Sequence, residues 1–378
     1  MQTAAPGRDE LRRLAELRLE RPLVLSLYLD LDPAEFATPP ARATAIRSLL
    51  DQAERQVKEA EGLSHDERSE LEGTLERAQA FLEHDLPTDG AHGVVLFAAG
   101  SADLFEALSL PRSLPSRAAL GHSPLVGPLA RLERRERWCV TLVSRRAARV
   151  FFGSADGLRE VEQIVDDVSG QHKDGGWAQG RYSRGVEKEK DDHLRNTGDA
   201  LMRRFKRRPF ERLIVGGPRE VVSDFESALH GYLQERLAGR IEVDVDSSSA
   251  EEVLEAAMPR FEELDAERER EALERVGEGS RSAGGLEDVL RALNERRVEV
   301  LMLDEQFSAQ GAVCPSCGLL AASAEGECPL DGSALELVEE ITDPAIELAV
   351  QQAAEVLFVQ HERERLEGLG GIAVLLRF

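Results

Sequence analysis

The sequence predicts an α/β protein built as three consecutive α/β domains, the last with a small cysteine-rich, zinc-ribbon-like insert. Three observations predict it. Short apolar runs alternate with long charged segments whose leucines recur every three or four positions, the mark of strands followed by helices. A chain of 378 residues is long for one core. Three of its four cysteines fall between Cys314 and Cys328, inside the last α/β portion. The expected boundaries are 1–130, 131–276, a linker at 277–285, and 286–378 with the insert at 312–334.

In the first domain, Asp9 to Glu20 reads as a polar helix with leucines at 11, 14 and 17, stopped by Pro22. Leu23 to Leu31 reads as a buried strand. Two helices follow, Ala41 to Glu61 and His65 to His84, the second opened by Ser64 with Glu67 at capping-box spacing. Gly93 to Ala99 and Leu104 to Leu110 are strands, and Pro111 to Pro128, with its four prolines, is a connection.

The second domain restarts with strands at Trp138 to Ser144, Ala148 to Phe152 and Leu158 to Val168. A helix is expected over Val186 to Lys206, with Leu194, Leu201 and Phe205 on its apolar side. Arg212 to Val215 is a strand, Arg219 to Leu237 a helix, Ile241 to Val245 a strand, and Ala250 to Val276 a charged helix. Gly277 to Gly285 has linker composition. The third domain carries helix Leu286 to Arg296, strand Val298 to Leu303, the cysteine insert, helix Asp343 to Ala354, strand Val356 to Val359 and the apolar run Ile372 to Phe378.

Charge narrows the partners. With 47 Lys and Arg against 71 Asp and Glu the formal charge is -24, which argues against a protein that simply coats nucleic acid. The sign reverses locally: His172 to Arg212 holds twelve cations against seven anions, and Arg131 to Arg149 seven against two. Such a chain docks on RNA through its middle third and is repelled elsewhere. Met1 to Arg21 is polar, and no apolar run approaches the roughly eighteen residues that span a bilayer, so a cytoplasmic protein with no membrane partner is expected.

Cys314-Pro-Ser-Cys317 and Cys328-Pro-Leu-Asp331-Gly332 are two similar turns. Paired turns of this kind complete a zinc site when all four positions are ligands, so Cys314, Cys317, Cys328 and Asp331 are the candidate set for a structural zinc. The alternative is a degenerate knuckle that has lost its metal. Cys139, on an apolar strand, reads as a core thiol. Gly216-Gly217-Pro218 lacks a Walker lysine and reads as a tight strand-to-helix turn. His193 reads as a surface residue. No Ser/His/Asp order, carboxylate pair or His-Glu-x-x-His motif marks classical hydrolase chemistry.

The stretch from His172 to Arg184 is the candidate site. Gly175 and Gly176 let a backbone approach a substrate closely. Lys173, Arg181 and Arg184 supply cations for phosphates, Trp177 an RNA-facing ring, and Gln179 an amide able to orient a water or a ribose hydroxyl. A plain surface connection with its tryptophan packed back is the alternative. Arg203 and Arg204, in the basic run Arg203 to Arg208, either complement a helix dipole or grip RNA, and their neighbourhood favours RNA.

At this stretch the sequence resembles the archaeal and eukaryotic class-one peptide release factors and their bacterial relatives. The residues that carry the resemblance are Gly175-Gly176-Trp177-Ala178-Gln179, then Arg181-Tyr182-Ser183-Arg184, then the charged helix. Leu369 to Phe378 is similar to the closing strand of release factors and of Pelota, and Leu213 to Pro218 to their central domain. The resemblance implies a ribosomal A-site protein whose glutamine loop reaches the tRNA 3′ end, with ribosome, tRNA and ribosomal RNA as partners and a translational GTPase as a candidate one. The spacing Gly176-x-x-Gln179 is closer to the eukaryotic quality-control peptidyl-tRNA hydrolases than to true terminators, and the first third carries no Asn-Ile-Lys-Ser-like stop-codon motif. Three activities fit: peptidyl-tRNA cleavage in ribosome rescue, occupation of the A site as a non-catalytic hibernation factor, and a nuclease acting at the tRNA 3′ end.

Overall fold

The run predicted at Leu23 to Leu31 forms strand Val24–Asp30, six of whose seven residues are buried, and one whole unit of the chain is built around it. The computed structural model describes residues 7–19, 23–36, 38–60, 62–86, 91–100, 104–133, 137–155, 157–165, 179–278 and 281–378. They divide into two units, Met1–Arg134 with Glu269–Phe378, and Arg135–Arg268.

In the first unit, Val24–Asp30 pairs antiparallel with Gly93–Ala99 and with Arg117–Gly121, placing Leu27 between Leu96 and Ala118. Leu104–Leu110 completes the four-stranded sheet. Because successive side chains point to opposite faces, Leu25, Leu27 and Leu29 meet Ile46, Leu49, Ala53, Ala78 and Leu82 of helices Pro39–Glu59 and His65–Ala80 and the turn after them. The predicted capping box is present: Ser64 Oγ accepts from the Glu67 N–H at 3.3 Å, and Glu67 Oε2 accepts from the Ser64 N–H at 2.7 Å.

The opposite face carries Tyr28, Val95 and Phe97 into a core shared with the far end of the chain. Leu11 and Leu14 of helix Arg8–Glu16, Ile346 of helix Thr342–Gln351, and Leu290 and Leu293 of helix Leu286–Asn294 belong to it. So do Leu301, Leu303 and Val374 of a second sheet. That sheet is ordered Ser282–Gly284, Ile372–Leu376, Val298–Asp304, Glu355–Val359, the last pair parallel. The first and last thirds are thus joined by apolar burial, which is why they form one unit.

Two expectations need correction here. The connection Pro111 to Pro128 contains strand Arg117–Gly121, hidden in the sequence because Arg-Ala-Ala-Leu-Gly has no β-branched or aromatic residue. The linker 277–285 holds the end of helix Ala250–Glu278 and strand Ser282–Gly284, which pairs with Ile372–Leu376; Ser282 Oγ donates to Val276 O at 2.8 Å. Small residues there fit an edge strand as well as they fit a flexible tether.

A polar seam lies within the shared core. Arg117 pairs with the buried Asp343 at 2.6 Å, Tyr28 donates its hydroxyl to Leu125 O at 2.5 Å, and Glu347 accepts from the Val126 N–H at 3.1 Å and Ser123 Oγ at 3.2 Å. Burial raises the Glu347 carboxyl to about 7, against the lowering effect of those two donors. A carboxyl whose folded value is raised leaves the folded state holding more protons than the unfolded chain, so stability falls as pH rises from about 4.5 towards 7. Glu347→Gln is expected to flatten that decline and to stabilise the protein at pH 8 by about 2 kcal/mol, read from denaturant melts at several pH values.

The second unit centres on Trp138–Val143. Its sheet is ordered Gly157–Val165, Ala147–Ser154, Trp138–Val143, Arg212–Gly216, Leu237–Ile241, antiparallel on the first side and parallel on the second. The helix expected over Arg219 to Leu237 is shorter: Arg219–Ala228, then the single turn Gly231–Gln234, after which the last strand already begins at Leu237. Helix Gln179–Arg207 packs Leu194 and Leu201 on one face of this sheet, with Val221, Val222 and Phe225 beside them.

Candidate functional site

The helix that follows the glycine stretch is longer than its apolar pattern predicts. It runs over Gln179–Arg207, starting seven residues before Val186, through a segment that contains no proline to stop it. Gln179 is therefore its first residue, and Arg181 and Arg184 fall within its opening turns. Lys173, Gly175, Gly176 and Trp177 lie outside the described residues. No acidic residue occupies the first turn of the helix.

The helix is held firmly from Lys190 onward. Lys190, only 9% exposed, pairs with Asp224 at 2.8 Å and also with Glu187. His193, expected at the surface, is 1% exposed, and the expectation is corrected. It shares an inward face with Leu194, Thr197 and Leu201, a spacing that the charged run Glu187 to Asp192 just before it obscures.

The structure separates the two groups of candidate cations. Arg203 lies roughly 36 Å along the helix from Gln179, at 1.5 Å per residue, so the two cannot meet one phosphate. Arg203 is exposed, whereas Arg204 donates to Val161 O at 3.2 Å and faces Glu162 at 3.5 Å, tying the helix end to strand Gly157–Val165. Arg208 lies 4.8 Å over the Phe152 ring. The run Arg203 to Arg208 is thus part anchor and part free cation, a division that burial decides and spacing does not show.

Gly217 explains the turn after strand Arg212–Gly216. Its φ is +132°, and a Cβ there would collide with Val143 O, so the glycine serves close backbone packing, as a tight strand-to-helix turn requires. Cys139 is fully buried, and burial pushes its thiol up to about 12, leaving an inert core group.

The cysteine insert is a three-stranded sheet, Leu320–Ala321, Gly311–Val313, Glu336–Val338, carrying two matching turns. In each, the glycine after the fourth position donates its N–H back: Gly318 to Cys314 O and Gly332 to Cys328 O, both at 2.9 Å. Both glycines have positive φ, +77° and +73°, which a side chain would strain. The turns bring Cys314, Cys317, Cys328 and Asp331 together, with all four donor atoms within 4.8 Å of one another. Cys314 Sγ lies 3.4 Å from Asp331 Oδ2, and Cys317 Sγ 3.5 Å from Cys328 Sγ. A tetrahedral zinc with arms of about 2.3 Å to sulfur and 2.0 Å to oxygen needs donors about 3.5–3.8 Å apart. The two separations given are near those values, and the four donors could hold a metal ion. Asn294 fixes the insert to its helix, donating to Leu320 O at 2.7 Å and accepting from the Leu320 N–H at 3.0 Å.

Sequence reading missed the seam of Arg117, Asp343 and Glu347. The detectable trace was Asp343 and Glu347 four apart, the only charged residues in the segment Asp343 to Ala354.

Residues 124–262 match the model of bacterial archaeo-eukaryotic release factor family 10. Peptide chain release factor subunit 1 of Methanopyrus kandleri is 28% identical over 197 residues, 50% of this chain and 48% of that protein. The match thus spans about half the length of that relative. The same-named protein of Methanocaldococcus jannaschii is 24% identical over 282 residues, 65% of this chain and 67% of that one. Among solved structures, an archaeal translation termination factor, aRF1, is 21% identical with a TM-score of 0.26, covering 99% of each chain. Archaeal Pelota, in a model of ribosome-bound Pelota and ABCE1, is 16% identical with a TM-score of 0.44, covering 100% of this chain and 95% of that one.

Proposed function

Because residues 124–262 match the bacterial archaeo-eukaryotic release factor family 10, we propose that the chain is a ribosome-associated factor that enters the A site and cleaves peptidyl-tRNA on stalled ribosomes. The observation that carries this reading is the start of helix Gln179–Arg207 at the glutamine itself, three positions after Gly176 and with no acid in its first turn. A single anchored helix would then present Gln179 to the tRNA 3′ end. Gly175 and Gly176 would let the backbone approach, and Lys173, Trp177, Arg181 and Arg184 would hold the tRNA end or ribosomal RNA.

The chemistry is ester hydrolysis. Water oxygen bonds to the carbonyl carbon, the bond from that carbon to the ribose oxygen breaks, and the water's proton ends on the ribose oxygen. A neutral amide is no base, so Gln179 orients the water or the terminal ribose hydroxyl and stabilises developing charge. The named partners are the ribosome, tRNA, ribosomal RNA and a translational GTPase, which would place the protein in the cytoplasm. Among the described residues no helix is long and apolar enough to cross a membrane. Zinc held by Cys314, Cys317, Cys328 and Asp331 would close the insert as a structural centre, with no part in hydrolysis. The division into domains 1–130, 131–276 and 286–378, with 277–285 between the last two, is proposed with it as a division of the sequence, the first and last packing together as one unit.

Charge reversal tests the docking. Arg181→Glu with Arg184→Glu is expected to abolish cosedimentation with ribosomes, and Arg203→Glu to weaken it severalfold and shallow its salt dependence. Arg204→Glu should instead lower the melting temperature, because it frees strand Gly157–Val165. Retained binding by the double variant contradicts the reading. A hibernation factor would bind and tolerate loss of Gln179, and a nuclease would leave a shortened tRNA.

A further inference from the structure

The first cysteine turn lies against an arginine from the opposite end of the chain. Arg18 Nη2 donates to Pro315 O at 3.4 Å, the carbonyl next to Cys314. Its guanidinium also lies against Gly318, where a Cβ would run into it. The backbone that delivers Arg18 is fixed on both sides. Gln351 donates to Ala15 O at 2.7 Å, the Leu19 N–H donates to His122 O at 2.7 Å, and Leu11 and Leu14 just before it are fully buried. The contact is therefore a seat for a positioned cation, made with the backbone of the turn.

Three thiolates and one carboxylate around a divalent zinc carry four negative charges against two positive, a net charge of -2. A cation held on the ligand-bearing turn lowers the energy of that anionic centre, and outer-shell partners of metal sites commonly change affinity 10- to 100-fold. We propose that Arg18 is a positioning residue of the metal centre, whose charge favours the zinc-loaded knuckle, and that the loaded knuckle in turn clasps the amino-terminal segment to the carboxy-terminal part of its unit. The coupling is reciprocal: whatever Arg18 adds to metal affinity, metal adds to the seating of Arg18. The inference rests on the metal reading of the insert given above.

The test uses the full chain loaded with zinc, with zinc release to a chromogenic chelator and hydrogen exchange as readouts. Arg18→Ala is expected to weaken zinc retention about tenfold, near the low end for an outer-shell partner because Arg18 is exposed, with Arg18→Lys in between. Chelation of the unaltered protein should speed exchange of amides 11–19 and leave those of strand Trp138–Val143 unchanged. Zinc retention in Arg18→Ala equal to that of the unaltered protein, or no change at 11–19 on chelation, overturns the clasp while leaving the metal site standing. A chain that takes up no zinc overturns the metal reading and the clasp with it.

Discussion

Gln179→Ala is expected to slow peptide release from peptidyl-tRNA by about 10²-fold, the scale of losing one donor aimed at developing charge. Ribosome binding should be unaffected, because the side chain removed is neutral and the cations at Arg181 and Arg184 remain. The position also separates chemistry from folding. Gln179 is the first residue of helix Gln179–Arg207, eleven positions ahead of Lys190, the first buried residue among the described side chains of that helix. The separation is read by pairing single-turnover release with cosedimentation on the same ribosomes. Release by Gln179→Ala at the unaltered rate would remove the glutamine from the mechanism.

Cys314→Ser carries the second large effect, on stability. Cys314 is fully buried and sits at the meeting point of the insert: its sulfur contacts Asp331 and accepts from the Cys317 N–H at 3.4 Å. Removing one of three thiolates is expected to cost the zinc and, with it, several kcal/mol, since metal binding to such a knuckle is folding free energy. Metal analysis should show loss of one zinc per chain, and melting should become insensitive to chelator. Because the insert joins the core of the first unit through Leu320, the loss should spread to that unit. Equal metal content in the variant and the unaltered protein would show that no zinc is held there.

The parts of this protein that were legible in the sequence are those set by local chemistry. Ser64 and Glu67 announced a capping box, Leu23 to Leu31 a buried strand, and the paired Cys-Pro turns a four-donor cluster. Contacts made across the chain were not legible. Nothing local in Arg117 to Gly121 marks a strand; its pairing with Val24–Asp30 comes from the sheet that receives it. Arg203 and Arg204 look alike in sequence, yet only the second meets Val161 and Glu162. His193 looked solvent-exposed because its neighbours are charged, although Leu194, Thr197 and Leu201 continue its face inward. The first and last thirds read as separate domains, and Tyr28 and Val374 lie in one core.

The most direct measurement is a single-turnover reaction on ribosomes carrying labelled peptidyl-tRNA in the P site and an empty A site, with peptide and tRNA both followed on one gel. The expected products are free peptide and full-length tRNA, formed with the unaltered protein and about 10²-fold more slowly with Gln179→Ala. Bound protein with the ester intact, or a tRNA shortened at its 3′ end, would contradict it.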